Sequence, residues 1–390
     1  VNTAPAAPPV APAPPPPPPP PPILPFDEAV LSAATNLLEK AQLAGDVPGG
    51  RYDVVIDPLI DGMTGQQSVA TKAMGARIVK LIRESYPAKY AVQPFNTSAV
   101  QKGPLLLVGT FTGVNAERKT EGQREAFRIC LALADLKTGK LVSKGLAFAK
   151  PDGVDIAPLP AFRDAPAWSD DAATSGYIRT CQGTRAGDSI NPMYVNRIVT
   201  SATIAEAADA YSEGKYTNAL KLYQAAAKSP GGDQLRTYTG LYLTSWRLGR
   251  QTDAAKAFGQ IVDQGLESKK LGVKFLFKPS TATLWSDPKA GPPAPYAMWL
   301  REIAARAVTR KDTCLGVVGH TSATGSEPAN EKLSLQRAEV IGKEIVRAAR
   351  ALDKKVIPNG VGSKQTLIGN GRDDHTDALD RRVEFRVVGC

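Results

Sequence analysis

Few side chains in this chain of 390 residues have the types and spacing that catalysis needs. Its two histidines, His320 and His375, lie in different segments, which leaves little room for a histidine-based metal site or a Ser-His-Asp triad. The adjacent carboxylates Asp373 and Asp374 lie in a Gly/Asp/Thr-rich stretch that is typical of a solvated loop. We therefore expect a protein that is not an enzyme and that carries neither a metal nor another cofactor.

A glycine-containing loop, Gly62 to Ser68 (GMTGQQS), comes before an apolar pattern of helical spacing. A phosphate-binding P-loop ends in Gly-Lys-Ser/Thr, so that the lysine reaches the phosphates. Here Gly65 is followed by Gln66. The free amides of a helix start bind anions weakly at most, so the sequence does not predict a nucleotide site.

The chain carries a net charge of +10, from 48 basic and 38 acidic residues. Such a balance favours anionic surroundings, such as nucleic acid, anionic lipid or a wall polymer, although ordinary solubility explains it equally well. Nucleic-acid binding needs clustered basic residues with exposed aromatics, and the sequence shows none, so we expect no nucleic-acid partner. No apolar run reaches the ~18 residues of a transmembrane helix, which leaves a lipid anchor upstream of Val1 as the membrane contact. The N-terminus also lacks the order of a signal peptide, so an export signal was removed or never present.

The four cysteines are Cys130, Cys181, Cys314 and Cys390. Their spacing is too wide for a zinc knuckle. An even number fits two disulfides in an oxidising compartment, with the pairing open at this point.

Composition divides the chain into segments, the first of which is proline-rich (residues 1–26). Pro14 to Pro22 is unbroken, and proline fixes φ and removes the amide donor, which predicts an extended polyproline II conformation. At ~3.1 Å per residue these prolines span roughly 28 Å. We interpret the segment as a semi-rigid stalk, with a ligand for an aromatic groove as the alternative.

Residues 27–168 are predicted to form a mixed α/β domain with helices on one side of its sheet. Apolar residues recur at helical spacing in two stretches, 31–43 and 69–82. β-rich runs cover 52–61, 90–95, 104–112 and 126–135, and a turn at Gly139 leads into a last strand. The opening strand that ends Asp57-Pro58-Leu59, the Thr/Gly loop and the hairpin LADLKTGKLVSKG resemble the α/β domain of bacterial envelope lipoproteins of the curli-secretion, flagellar-accessory and penicillin-binding-protein-activator group.

A polar segment, residues 169–200, is predicted to be an irregular linker that contains Cys181. Residues 201–309 are predicted to be helical and carry a repeat: Gly214, Ala219 and Tyr223 correspond, 35 residues later, to Gly249, Ala254 and Phe258. This period and pattern resemble tetratricopeptide repeats, which implies antiparallel helix pairs joined through small residues and aromatics. We interpret the module as a docking or spacer unit, with residues 296–308 as a cap.

The last segment, residues 310–390, is predicted to be a βαβαβ domain. It combines an apolar strand, CLGVVGH (314–320), with an amphipathic helix and a last strand of alternating charged and apolar residues. The pieces Gly319-His320-Thr321, Asn330-x-x-Leu333-Ser334-x-x-Arg337-Ala338, Gly360-Val-Gly362 and Asp380-Arg381-Arg382-Val383-Glu384 resemble the OmpA-like domain of bacterial outer-membrane and motor-anchoring proteins. The fold class is thus a multidomain α/β plus α protein.

The resemblance to the OmpA-like family implies non-covalent binding of peptidoglycan, in which an aspartate and an arginine hold the diaminopimelate of the stem peptide. Arg337 matches the arginine, and a guanidinium fork recognises a carboxylate geometrically. Ser322, 15 residues earlier, stands where the family has the aspartate, so about 1–3 kcal/mol of charge-assisted interaction is missing. A site and a scaffold arginine, paired for example with Asp380, therefore remain alternatives. The other candidate ligand-binding residues are Thr321, Asn330, Leu333 and Arg381. Because Arg381 and Arg382 point to opposite sides of a strand, at most one faces a ligand, and His320 is expected to form a hydrogen-bonded loop.

The same resemblance implies that Cys314 and Cys390 meet at one end of an antiparallel strand pair and form a disulfide, which leaves Cys130 to pair with Cys181. Disulfides favour the periplasm or the cell exterior. Two functions follow. The first is a non-catalytic, outer-membrane-associated or surface envelope protein that contacts peptidoglycan through its C-terminal domain and protein partners through its other units. The alternative is a structural subunit of an envelope or surface assembly, built with protein partners or with copies of itself, in which Ser322 marks the loss of peptidoglycan binding.

Overall fold

The computed structural model describes residues 20–43, 45, 47, 49–169, 171–278, 280–285, 294–310, 313–372 and 379–390. Most of the predicted proline-rich stalk lies outside the described residues, as do Asp373, Asp374 and His375. Within the described ranges, no helix combines the length and the apolar character that crossing a bilayer requires.

The first unit is built on a seven-stranded sheet with the order β1-β7-β6-β5-β2-β4, in which β3 also pairs with β5. Its strands are β1 (Ile23–Leu24), β2 (Tyr52–Ile56), β3 (Ile60–Asp61), β4 (Tyr90–Val92), β5 (Leu105–Val114), β6 (Ala126–Asp135) and β7 (Lys140–Ala149). The β5-β6-β7 portion is antiparallel, and β2 runs parallel to both β4 and β5. Strands β2 to β7 fall on the β-rich runs of the sequence, and Gly139 turns between β6 and β7 with φ of 68°. The prediction was wrong for β1, which lies inside the predicted proline-rich stalk and pairs with β7.

Helices cover both faces of this sheet, whereas the sequence analysis placed them on one. The first face packs against α1 (Phe26–Glu39) and α2 (Val69–Ser85). The second face packs against α5 (Ala172–Cys181), α6 (Pro192–Val195) and the start of α7 (Ile198–Ser212). Short helices α3 (Thr97–Val100) and α4 (Pro160–Arg163) lie along the chain between these elements. The signal for two covered faces is the unbroken burial of β5, since a half-exposed strand alternates apolar and polar residues.

The predicted linker 169–200 is corrected by the structure. It contains α5 and α6, whose Tyr177 and Tyr194 are fully buried against the second face of the first sheet. The Tyr177 hydroxyl oxygen accepts from the Gly109 amide at 2.9 Å, and its one proton faces the carbonyl oxygens of Pro58 and Gly109, each 3.1 Å away. The polar composition of the segment hides this role because its few aromatic side chains do the packing.

The helical layer consists of α7, α8 (Tyr216–Lys228), α9 (Leu235–Arg247) and α10 (Gln251–Glu267). Gly214 and Gly249, the corresponding glycines of the repeat, end α7 and α9 with φ of 77° and 72°. Gly240 lets α9 approach α8, because a Cβ atom there would lie 2.1 Å from the ring of Tyr223. Tyr223 and Phe258 are buried between the helices, as the repeat pattern predicts.

The C-terminal unit is built on a five-stranded sheet of order β11-β10-β12-β9-β8. Its strands are β8 (Ala167–Ser169), β9 (Lys270–Val273), β10 (Thr313–Gly319), β11 (Val356–Gly360) and β12 (Val383–Gly389). The helices α11 (Tyr296–Val308) and α12 (Glu327–Ala348) pack with it, and a 3₁₀ turn, Arg350–Leu352, follows α12. β10 is parallel to β11 and antiparallel to β12, and β9 adds antiparallel to β12.

The predicted boundary near residue 310 and the βαβαβ order are both corrected by this sheet. β8 and β9 come from segments assigned to other domains, and they complete the sheet at the β12 edge. In the described residues between β11 and β12, turns and a short 3₁₀ segment replace the second predicted helix. One continuous apolar cluster runs from α7 to Phe385 in β12. The helical layer and the C-terminal sheet therefore share a core, and the segment before residue 310 cannot be detached from it.

Candidate functional site

The loop after β10 is positioned by close contact between β10 and α12. A Cβ atom on Gly319 would lie 2.0 Å from the carbonyl oxygen of Ser334, and one on Gly360 would lie 2.4 Å from the amide nitrogen of Leu335. Only glycines at the ends of β10 and β11 allow the helix to lie so near. This approach places the loop that begins at His320 beside the first turns of α12.

Thr321 and Ser322 lie in that loop, and Asn330, in the first turn of α12, bonds to it. The Thr321 amide donates to the Gly362 carbonyl (3.0 Å), and the Asn330 side chain donates to the Thr324 carbonyl (2.9 Å). The hydroxyl oxygens of Ser322 and Thr324 are 3.2 Å apart. Thr321 Oγ1 is enclosed and has no hydrogen-bond partner among the described residues. These contacts fix the loop. Among the described residues, the Thr321 hydroxyl and both ring nitrogens of His320, whose side chain was expected to be hydrogen-bonded, have no hydrogen-bond partner.

Arg337 lies on α12 and is only 4% exposed. Its Nε donates to the carbonyl oxygen of Thr281 at 3.1 Å, and its guanidinium carbon lies 4.8 Å from the centre of the Phe277 ring. The segment after β9 thus covers the arginine, which the sequence analysis did not foresee. Asp380, its suggested ion-pair partner, uses its carboxylate to accept the amides of Ile368 and Gly369, at 2.9 and 2.8 Å.

Leu333 and Arg381 are both partly exposed. Arg382, the next residue, is 2% exposed and turns into the domain. The two arginines therefore differ in the way that strand alternation predicts, and only Arg381 is available at the surface.

A group of charges centred on the buried Glu384, which the sequence did not reveal, lies on the face of β12 that Arg382 joins. We call Lys270, His320, Arg382, Glu384 and Arg386 the C-terminal charge cluster. Glu384 accepts from Arg382 Nε at 2.9 Å and from the Arg386 guanidinium at 2.9 Å. Lys270 Nζ lies 3.9 Å from the same carboxylate, and His320 Nε2 lies 3.6 Å away. The signal that could have found the cluster is the i, i+2 spacing of Arg382, Glu384 and Arg386, which puts them on one face of a strand.

Burial and charge set the proton affinities in this cluster. Burial alone would raise the pKa of Glu384, but His320 and the positive charges of Arg382 and Lys270 hold it well below its usual range. Burial, together with the neighbouring arginines and against the pull of Glu384, lowers the pKa of His320 to about 4. At neutral pH the cluster therefore contains an ionised Glu384 and an uncharged His320, and it serves as internal structure.

Comparison with protein families identifies a domain that contains Thr321, Ser322, Asn330 and Arg337. Residues 276–378 match the OmpA family. The matched range begins after β9, ahead of the boundary predicted at residue 310, and leaves out the strands β8, β9 and β12 of the same sheet. A comparison with curated proteins finds no match.

Solved structures similar to the chain include an outer membrane protein from Borrelia burgdorferi B31, at 23% identity over 31% of this chain and 88% of that one, with a TM-score of 0.23. The peptidoglycan-associated lipoprotein from Burkholderia pseudomallei matches at 18% identity over 30% and 88%, with a TM-score of 0.24. A periplasmic domain of Helicobacter pylori MotB matches at 16% identity over 31% and 73%, with a TM-score of 0.25.

The ends of β10 and β12 bring Cys314 and Cys390 together beside the OmpA-family domain. Their sulfur atoms are 2.32 Å apart and their Cα atoms 5.0 Å apart, a Cα separation that a disulfide spans. In the first unit, Cys130 and Cys181 are buried with their sulfur atoms 2.6 Å apart. Here they are two thiols, so the predicted second disulfide stays a prediction.

Proposed function

We propose that this protein is a non-catalytic component of the bacterial cell envelope whose OmpA-family domain contacts peptidoglycan. The observation that carries the proposal is the match of residues 276–378 to the OmpA family. The first unit, which resembles envelope lipoproteins, and the tetratricopeptide-like helical layer would contact protein partners. The periplasm, close to the outer membrane, is the compartment that fits such a protein and its cysteine pairs.

Arg337 is the residue that would hold a carboxylate of the diaminopimelate stem peptide. A guanidinium on α12, beside the loop of Thr321 and Asn330, has the fork geometry that binds a carboxylate with two parallel hydrogen bonds. Ser322 offers a hydroxyl to the ammonium in place of the family's aspartate. The unsatisfied Thr321 hydroxyl adds a further polar group to the same loop.

A second candidate function is that of a structural subunit in an envelope assembly whose OmpA-family domain no longer binds peptidoglycan. The burial of Arg337 beneath Phe277 and Thr281 favours it, because the guanidinium is already in contact with this chain. The neutral Ser322 favours it too. In the first candidate function Arg337 binds peptidoglycan, whereas in the second it is part of the internal structure of the domain.

Sedimentation with purified diaminopimelate-type peptidoglycan distinguishes them. We expect wild type and Arg347→Ala, a control on the exposed side of the same helix, to be retained, and Arg337→Ala to be lost. Ser322→Asp, which restores the family's charge, should increase retention. Thermal melting of each variant checks that it is folded. Equal retention of wild type and Arg337→Ala, or retention of neither, would favour the assembly function.

A further inference from the structure

A cleft of about 870 Å³, counted to its open mouth, lies between the first unit and the helical layer. We call it the interdomain cleft. It is independent of the OmpA-family site and of the proposed function. Its walls come from separate parts of the chain, represented by Gln66, Trp168, Thr174, Ala205, Tyr223 and Arg236.

Glycines shape the walls of the interdomain cleft. Gly65, in the loop before α2, has φ of 70°, and a Cβ atom there would lie 2.2 Å from Thr174 Cγ2 of α5. Gly240 allows α9 to press against the Tyr223 ring on another wall. The N-terminus of α2 is not a candidate anion site, because Ser68 caps it by accepting from the Thr71 amide at 3.2 Å. The glycine-containing loop thus forms a wall and not a phosphate cradle.

Arg236 is the cation of the interdomain cleft. It projects from the first turn of α9, it lines the cleft, and its Nε is enclosed without a hydrogen-bond partner. In the part of the chain that the structure describes, its guanidinium makes no hydrogen bond or ion pair. A buried guanidinium nitrogen without an acceptor is costly, and a ligand carboxylate would satisfy it.

Two carboxylates lie near Arg236, and neither takes its hydrogen bonds. Asp171 lines the cleft, but its two oxygens accept the amides of Thr174 at 2.9 Å and Leu235 at 2.8 Å. Asp57, in the first unit below, accepts the Tyr194 hydroxyl at 2.5 Å. Asp171 thus has both oxygens bonded to protein donors and Asp57 has one, and neither carboxylate pairs with Arg236, so the guanidinium fork can bind an anion that enters from the mouth.

The rest of the lining combines apolar and aromatic side chains with hydroxyls and the amides of Gln66 and Gln67. Phe162, Trp168, Leu235 and Leu243 provide apolar surface, and Ser175 and Thr239 provide hydroxyls. Ligand pockets typically combine such a lining with a few polar groups that fix orientation. An inorganic anion would leave the apolar surface unused, and a neutral apolar ligand would leave Arg236 unsatisfied.

We propose that the interdomain cleft binds a ligand that presents a carboxylate to Arg236 beside an apolar or aromatic group. A small organic acid and the C-terminus of a peptide share this chemistry. The ligand would contact the first unit and the helical layer at once, so its binding would also hold the two units together.

Isothermal titration calorimetry on the full chain tests the proposal with two matched pairs of probes. One pair is 4-phenylbutyrate and its amide, and the other is the dipeptide N-acetyl-Phe-Leu and its C-terminal amide. We expect at least one free acid to bind and its amide to bind at least about 10-fold more weakly, as the loss of a charge-assisted hydrogen bond predicts. Binding of phenylbutyrate alone identifies a small acid as the source, and binding of the dipeptide alone identifies a peptide terminus.

Three variants locate the binding. Arg236→Gln should weaken binding of the free acid by about 10- to 100-fold, and Ala205→Phe should abolish it by filling the cleft. Arg250→Gln, the same change at an exposed position between α9 and α10, should bind as wild type does. Circular dichroism and melting establish that each variant is folded. Failure of both acids to bind, equal binding of acid and amide, or unchanged binding to Arg236→Gln and Ala205→Phe would each overturn the proposal.

Discussion

Glu384 is a fully buried charged side chain and Arg236 a half-buried one, and their surroundings differ. Glu384, in the C-terminal charge cluster, accepts hydrogen bonds from Arg382 and Arg386 and has Lys270 nearby. Arg236, in the interdomain cleft, has an enclosed Nε without an acceptor. Its neighbour Asp57 is buried too, with the Tyr194 hydroxyl as the donor to its carboxylate.

A buried charge with close counter-charges, such as Glu384, stabilises the fold, whereas one without them, such as Asp57, destabilises it. Removing one partner of a buried ion pair leaves the other uncompensated, which is strongly destabilising. Removing a buried charge that lacks a close counter-charge raises the stability of the fold, because the folded protein no longer bears the cost of desolvating that charge. Such costly groups persist where function needs them. Substitutions should therefore lower stability in the C-terminal charge cluster and preserve or raise it around the interdomain cleft.

The largest effect is expected for Glu384→Gln. The substitution leaves the buried Arg382 without its counter-charge, and we expect the free energy of unfolding to fall by about 3–5 kcal/mol. Urea denaturation of the full chain measures it. Glu344→Gln, which removes a carboxylate from a surface pair with Arg347, is the control and should change stability by less than ~0.5 kcal/mol. A small loss in Glu384→Gln would mean that the cluster does not hold the fold.

The cysteine pair at the ends of β10 and β12 is expected to have the next largest effect. Cys314 and Cys390 are 76 residues apart in sequence, and closing a loop of that length restricts the unfolded chain. We expect Cys314→Ser to lose about 2–4 kcal/mol in oxidising buffer.

Reductant provides the control for that substitution. It should lower the stability of wild type by a similar amount and leave Cys314→Ser unchanged, and mass spectrometry of alkylated protein reports the thiols directly. Free thiols at both positions in the oxidised protein would contradict the prediction.

The sequence predicted those strands and helices whose signal is a local pattern or a motif. Strands β5, β6 and β7 follow from apolar runs joined at Gly139, and α12 with its neighbouring loop follows from the OmpA-like motif. Each of these signals lies within one stretch of chain, where side-chain spacing directly reports conformation.

The features that the sequence did not predict depend on contacts between distant segments of the chain. β9 joins β12 by antiparallel pairing across more than a hundred residues, and this addition brings Phe277 and Thr281 over Arg337. The motif located that arginine without revealing that it is covered. The interdomain cleft was missed for the same reason, since Gln66, Trp168 and Arg236 meet only after the units pack together.

A pH-dependent effect is expected at Asp57, on the cleft side of the comparison. Burial, which outweighs the opposing pull of Arg236, raises the pKa of Asp57 to about 6 from 3.8. The folded protein thus holds a proton that the unfolded chain releases, so this group's contribution to stability falls as pH rises from about 4 to about 6. Asp57→Asn cannot ionise and can still accept the Tyr194 hydroxyl.

We expect Asp57→Asn to match wild type near pH 4 and to exceed its free energy of unfolding by as much as about 3 kcal/mol at pH 7. Urea denaturation across this range measures the difference. Asp53→Asn, at an exposed position of β2, the strand that precedes Asp57, is the control and should keep the pH dependence of wild type. A variant less stable than wild type at pH 7 would place Asp57 among the charges that hold the fold.

The smallest effect is expected for Arg236→Gln without ligand. Loss of the cation removes its attraction to Asp57 but also removes an enclosed guanidinium nitrogen that lacks an acceptor, and the two changes oppose each other. We expect the free energy of unfolding at pH 7 to remain within about 0.5 kcal/mol of wild type, whereas the pH-dependent step of Asp57 should move to higher pH, since Arg236 lowers that pKa. Arg250→Gln should change neither. A loss of ~2 kcal/mol or more would show that Arg236 is structural in the same sense as Arg382. In that case its open fork would reflect packing, and the contrast between the cleft and the C-terminal charge cluster would fail.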